Sequence, residues 1–200
     1  MTQLRNSAFS GSILTIALAS FIAGCASSPQ SSPSKAQERQ IERALTALKR
    51  RGDADSLAMA AIFSLDKHRD QSLTLMARAV ANAPNRPDLV LLQSQLCQKI
   101  SHCNPEPIEL RLRQLDPRNG EGWMGAFVRG EASGDREATD AAFTEISRSD
   151  RVDVYWTGLI ARLTRAVAGT KALSVEDAGV IVIGYLAAEP IFGYSAASKR

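Results

Sequence analysis

The stretch Asp116-Pro117-Arg118-Asn119-Gly120-Glu121-Gly122-Trp123, continued by Ser133-Gly134-Asp135-Arg136-Glu137-Ala138 and Ala142-Phe143-Thr144-Glu145-Ile146, decides how the rest of the chain is read. Pro117 lies 33 residues after Pro84 and 33 before Asp150. Six residues beyond each of these punctuation marks stand Val90, Trp123 and Trp156, and Leu57 lies 33 before Val90. Acidic residues follow the punctuation at Asp55, Asp88, Glu121 and Asp153. Acids suit a helix start, where the dipole favours them and their oxygens can cap free amides. The period predicts four units, each with two helices. One helical hairpin cannot bury its apolar face alone, so units in register predict an all-α, right-handed helical-hairpin solenoid.

This stretch resembles a tetratricopeptide repeat. By that resemblance Trp123 is the large residue of the first helix and Gly134-Asp135 the turn between helices. Phe143 becomes the packing residue of the second helix, and Pro117 the proline that ends the preceding unit. Phe127 stands where the family usually has a small residue, and the spacing from turn to second helix is one residue short. The resemblance spans roughly residues 52–165, and the repeat region is assigned to residues 52–170.

On the N-terminal side, Ile41, Ala44, Leu45 and Leu48 form an apolar stripe at helical spacing, which predicts a helix over residues 35–51 ended by Gly52. A second helix follows, capped by Asp55 or Ser56 and carrying Leu57, Met59, Ile62, Phe63 and Leu65. A third opens at Asp70 or Ser72, carries Leu73, Leu75, Met76, Ala79 and Val80, and stops before Pro84. Pro105 and Pro107 delay the second helix of the next unit to near Pro107. On the C-terminal side, residues 171–200 read as a capping helix and tail. Ser174 with Glu176 and Asp177 starts that helix, Pro190 ends it, and Val180-Ile181-Val182-Ile183-Gly184-Tyr185-Leu186 is apolar nearly all round. Such a helix is expected to be buried against the last repeat, the alternative being an exposed patch that docks a partner.

The start of the chain carries an address. An apolar run of about a dozen residues begins at Ile13, with Arg5 the only charge before it. That run is too short to cross a bilayer. Its end, Ile22-Ala23-Gly24-Cys25, resembles the lipobox of bacterial lipoproteins. The resemblance implies a signal peptide over residues 1–24, cleavage before Cys25, and a lipidated, acylated Cys25 as membrane anchor. Two or three acyl chains hold a protein stably on a membrane, where one chain is marginal. Ala26, in place of the aspartate that retains such proteins in the inner membrane, implies the periplasmic face of the outer membrane. Residues 25–34, the acylated cysteine and a serine- and proline-rich stretch, read as a flexible tether.

Composition narrows the chemistry. Removing residues 1–24 from the 200 leaves 176, enough for a proper core. Arg5 is the one basic residue lost from 24, which leaves 23 basic against 21 acidic side chains, too even a balance to imply nucleic acid. Lys49-Arg50-Arg51 closes a helix, where cations suit the dipole. Cys97 and Cys103 would enter an oxidising compartment, where they can form a disulfide or stay as buried free thiols. With His102 they offer three clustered ligands and only His68 elsewhere, short of a four-ligand structural zinc site, so no metal is expected.

No nucleophile elbow, phosphate loop, zinc-protease or dinucleotide motif occurs. His68 and His102 read as surface residues, and the Glu106/Glu109 pair as one of many on solvated helix faces. No catalytic residue and no cofactor is expected. The reading is a lipid-anchored, non-enzymatic adaptor or scaffold that binds a protein or peptide in the cell envelope, with unassigned contact residues. Resembling proteins scaffold wall hydrolases, assemble outer-membrane proteins, or serve as pilotins of secretion and pilus systems. The competing class is an envelope enzyme whose site matches no motif.

Overall fold

The computed structural model describes residues 34–188. Cys25, most of the tether and the tail from Pro190 lie outside the described residues. What is described is all-α, in nine helices: α1 (Lys35–Arg51), α2 (Ala54–Ser64), α3 (Arg69–Asn82), α4 (Pro87–Gln98), α5 (Glu106–Leu115), α6 (Glu121–Ser133), α7 (Arg136–Arg148), α8 (Trp156–Ala168) and α9 (Val175–Ala188). Helices α2, α4, α6 and α8 start at residues 54, 87, 121 and 156, so the hairpin period drifts from 33 to 35 along the chain.

The helix boundaries follow local chemistry. Gly52 ends α1 in the left-handed conformation, φ 72°, and returns its N–H to the Leu48 carbonyl. Gly134 does the same after α6, at φ 74°, and Asp135 then caps α7 by accepting from the Ala138 N–H. The cap of α2 is Asp53, earlier than Asp55 or Ser56. Its carboxylate accepts from both the N–H and the hydroxyl of Ser56, which leaves Asp55 inside the first turn and free to reach another element. Helix α3 begins at Arg69 and α5 at Glu106, whose N–H is taken by the Asn104 side chain.

Asp153 does not start α8. It lies in an extended segment whose neighbours pair with the loop before α6. Gly120 donates to the Arg151 carbonyl at 2.8 Å, Asp150 donates to the Arg118 carbonyl at 3.0 Å, and Asn119 and Arg151 form a parallel bridge. Helix α8 therefore waits until Trp156, after Tyr155 has turned into the left-handed region at φ 57°.

Successive helices pack on one another from α1 to α7, and α9 packs on α8. Helix α8 also reaches back to α2 and touches α1. Helix α2 is thereby enclosed: every residue from Ser56 to Ser64 is buried, as expected of a helix that is apolar on all sides. Its hydroxyls stay satisfied, with Ser64 donating to the Ala60 carbonyl and Ser72 of α3 donating to the Ala61 carbonyl. The core is largest here, where Leu48 of α1, Leu57, Met59 and Ile62 of α2, Met76 of α3 and Leu163 of α8 are all sealed from solvent.

Helix α9 buries one face only. Ala178, Ile181, Val182 and Leu186 face inward, and Tyr185 meets Phe63 of α2 edge-on with ring centroids 4.9 Å apart. Val175, Val180 and Ile183 are exposed, so the expected burial of the whole helix gives way to a two-faced one: α8 covers one side, and no described element covers the other.

Candidate partner-binding surface

The column Leu57, Val90, Trp123 and Trp156 divides in two. Leu57 and Val90 are sealed in the core, whereas Trp123 and Trp156 are only half-buried. The Arg113 guanidinium of the neighbouring helix α5 lies 4.1 Å from the centre of the Trp123 ring, a cation–π contact that shields one face of the indole. Trp156 lines a cleft of about 600 Å³ between the N-termini of α4 and α8, a volume in the range of small ligand and peptide sites.

Charge holds the floor of this cleft together. Arg86, just before α4, donates from Nε to one Asp88 oxygen at 2.9 Å and from Nη2 to the other, while Nη1 donates to Asp55 of α2 at 2.7 Å. Arg162 of α8 adds a 3.2 Å contact to Asp88. Burial opposes ionisation of Asp88, but the bonds from Arg86 and the charges of Arg86 and Arg162 outweigh it and hold its pKa below the usual carboxylate range. The same bonds push Arg86 up, so the guanidinium stays charged. Arg162 is the more open cation, with its side chain 42 % exposed. The walls are the Tyr155 and Trp156 rings and Pro87. The cleft thus joins aromatic walls, the open Arg162 cation and the Asp153 carboxylate, one oxygen of which accepts from the Tyr155 N–H.

A second surface lies on the third hairpin. Phe143 is 59 % exposed, with its ring 6.4 Å from that of Phe127. This corrects the packing role that the repeat resemblance implies for Phe143: α8 packs on α2, and the outer side of α7 is left uncovered. Ile146 follows one turn on, and its methyl and that of Val152 converge over Gly120, where a Cβ would meet them at 3.4 and 3.2 Å. Val152 is itself 55 % exposed. Phe143, Ile146 and Val152 thus form one apolar strip.

The other singled-out residues are placed plainly. Cys97 and Cys103 are joined by a disulfide, with Cα atoms 5.2 Å apart. His68 is exposed, and His102 lies 3.1 Å from Asp70 at the surface. Glu106 and Glu109 do not share a solvated face. Glu106 is exposed, but Glu109 is buried between α5 and α6 and accepts two 2.7 Å bonds from Arg129. Among the described residues, no group of three or more His, Cys, Asp or Glu could hold a metal ion, and no helix is long and apolar enough to cross a membrane. Arg86, Asp88 and Arg162 escaped sequence reasoning. The available signal was the 33-residue spacing of Asp55 and Asp88, which fitted helix starts equally well. Compared with protein-family models, curated proteins and solved structures, the chain shows no significant match to any.

Proposed function

We propose that this protein is a lipid-anchored adaptor of the bacterial envelope. It is held through acylated Cys25 at the periplasmic face of the outer membrane and binds a protein or peptide partner on a tetratricopeptide-like solenoid of helical hairpins. The recurrence of hairpins at 33 to 35 residues supports the repeat reading, with α8 turned back to close the first hairpin. The observation that carries the adaptor reading is the strip on the outer side of the third hairpin, with Phe143 and Val152 exposed to solvent and Ile146 half-buried between them. Exposed apolar surface of this kind marks interaction sites. The charged cleft beside Trp156 supplies the polar groups that fix the register of an extended segment.

The test is a photoreactive residue at Phe143 in the full chain produced in its host, with a second at Ala141, which points away on the same helix. A discrete crosslinked protein at 143 and none at 141 supports the adaptor. Equal labelling, or none at either site, counts against it.

A further inference from the structure

We propose that the outer face of α9 rests on the membrane, so that the folded part lies against the lipid surface on one defined side. This rests on the lipid-anchored reading above. Three observations carry it. The first is composition: from Ala178 to Ala187 the helix has no charged side chain, and Val180 and Ile183, one turn apart, are 72 % and 47 % exposed. Carried on 14 residues, about 21 Å of helix, this face is too short to cross a bilayer and suits an element lying in the interface.

The second observation is position. A cleft lined by Gln37 and Gln40 of α1 and by Leu173, Asp177, Val180 and Ile181 puts this face beside the first turns of α1. The described chain begins there, at Ser34. The third is reach. Eight residues lie between Cys25 and Ser34, nine steps of chain, which bounds their distance at about 30 Å. An acyl anchor that close raises the effective concentration of the bilayer around α9, so a face too small to bind alone can still dock.

The experiment uses the full lipidated chain in vesicles of phosphatidylethanolamine and phosphatidylglycerol. Cys97 and Cys103 are bonded to each other and Cys25 carries lipid, so a single new thiol in Val180→Cys, Ile183→Cys or the control Ala141→Cys takes a spin label. With the protein floating with the vesicles, labels at 180 and 183 should show a several-fold loss of collisions with a water-soluble nickel chelate and a gain with oxygen, while 141 stays unchanged. Flotation with 180 and 183 still open to nickel overturns the α9 docking and leaves the anchor reading standing. Shielding of both positions before vesicles are added overturns it too, because the chain or a second copy then covers the face. Failure to float overturns the anchor and the docking together.

Discussion

Asn119 grips the backbone of Asp153 from both sides: its Nδ2 donates to the Asp153 carbonyl at 2.8 Å, and its Oδ1 accepts from the Asp153 N–H at 2.8 Å. Nδ2 also donates to the Tyr155 hydroxyl at 2.9 Å, and Oδ1 also accepts from the Glu121 N–H at 3.2 Å. The side chain, 2 % exposed, thus uses its whole bonding capacity as a clip between the loops that precede α6 and α8. Asn119→Ala should destabilise the fold by about 2–3 kcal/mol, since the buried Glu121 N–H and the part-buried bonds to Asp153 and Tyr155 lose their partner at once. That corresponds to a fall in Tm of about 4–12 °C in a chain of this size. Asn119→Asp should be no better, because an oxygen replaces the donor facing the Asp153 carbonyl. A melt within 1 °C of wild type, an interval of roughly the measurement error set against that scale, would remove the clip from the account.

Asp88 and Asp53 predict the acid limb of stability. Both have folded pKa values below the ordinary carboxylate value: burial opposes this in each, and bonds from Arg86 to Asp88 and from Ser56 to Asp53 overcome it. A depressed folded pKa gives stability that is present above the unfolded value near 3.9 and is lost as pH falls through the folded value. Denaturant midpoints should therefore hold steady from pH 7 to about 5 and fall below about 4. Asp88→Asn should lower stability at neutral pH and flatten the acid fall. A variant with the wild-type slope would dissociate Asp88 from it.

Tyr155 predicts an alkaline limb. Burial and a hydrogen bond to Asp116 raise its pKa well above 10, against the smaller opposing effect of Asn119. A raised folded pKa gives stability that is full below the unfolded value and is lost as pH rises through the folded one. Stability should fall above about pH 10, and Tyr155→Phe should reduce that fall while losing the bonds to Asn119 and Asp116 at neutral pH. An alkaline limb of unchanged slope in the variant would assign the fall to other groups.

Gly125 is a steric test of the α5–α6 contact. A Cβ there would collide with Glu109 Oε1, and Glu109 cannot swing aside without breaking its two bonds to Arg129. Gly125→Ala should cost about 2–4 kcal/mol despite the better helix propensity of alanine, because a buried pair is broken. Glu109→Gln should cost less in the Gly125→Ala background than in the wild type, because the pair with Arg129 is already broken there, readable in a double-mutant cycle.

The Cys97–Cys103 bridge closes a loop across six positions and should contribute about 2 kcal/mol. Thiol labelling of the denatured, unreduced protein should find both blocked, and reductant should lower Tm by about 4–8 °C. Free thiols in protein prepared without reductant would refute the bond.

Punctuation was the most legible part of this sequence. Gly52, Pro84 and Gly134 each act through their own backbone, so the helix ends fall where residue type alone puts them. Helix starts were less legible, because an acid can cap, sit in the first turn or lie beyond the helix. Asp53, Asp55 and Asp153 do these three things, and only the position of Ser56, Arg86 and Asn119 tells them apart. The stripe of α8 reads the same whether it packs on the third hairpin or on α2. Its return to α2 was therefore invisible, and with it the exposure of Phe143 and the cleft at Trp156.

That return also governs how the chain can fold. A row of stacked hairpins can form from any point and loses an end unit at little cost to the rest. Here α2 is closed by a helix that begins about 100 residues later, so its last side stays open to water until α8 is available. Folding is thereby delayed until nearly the whole chain has emerged. A chain cut before α8 would leave its most apolar helix open to proteases.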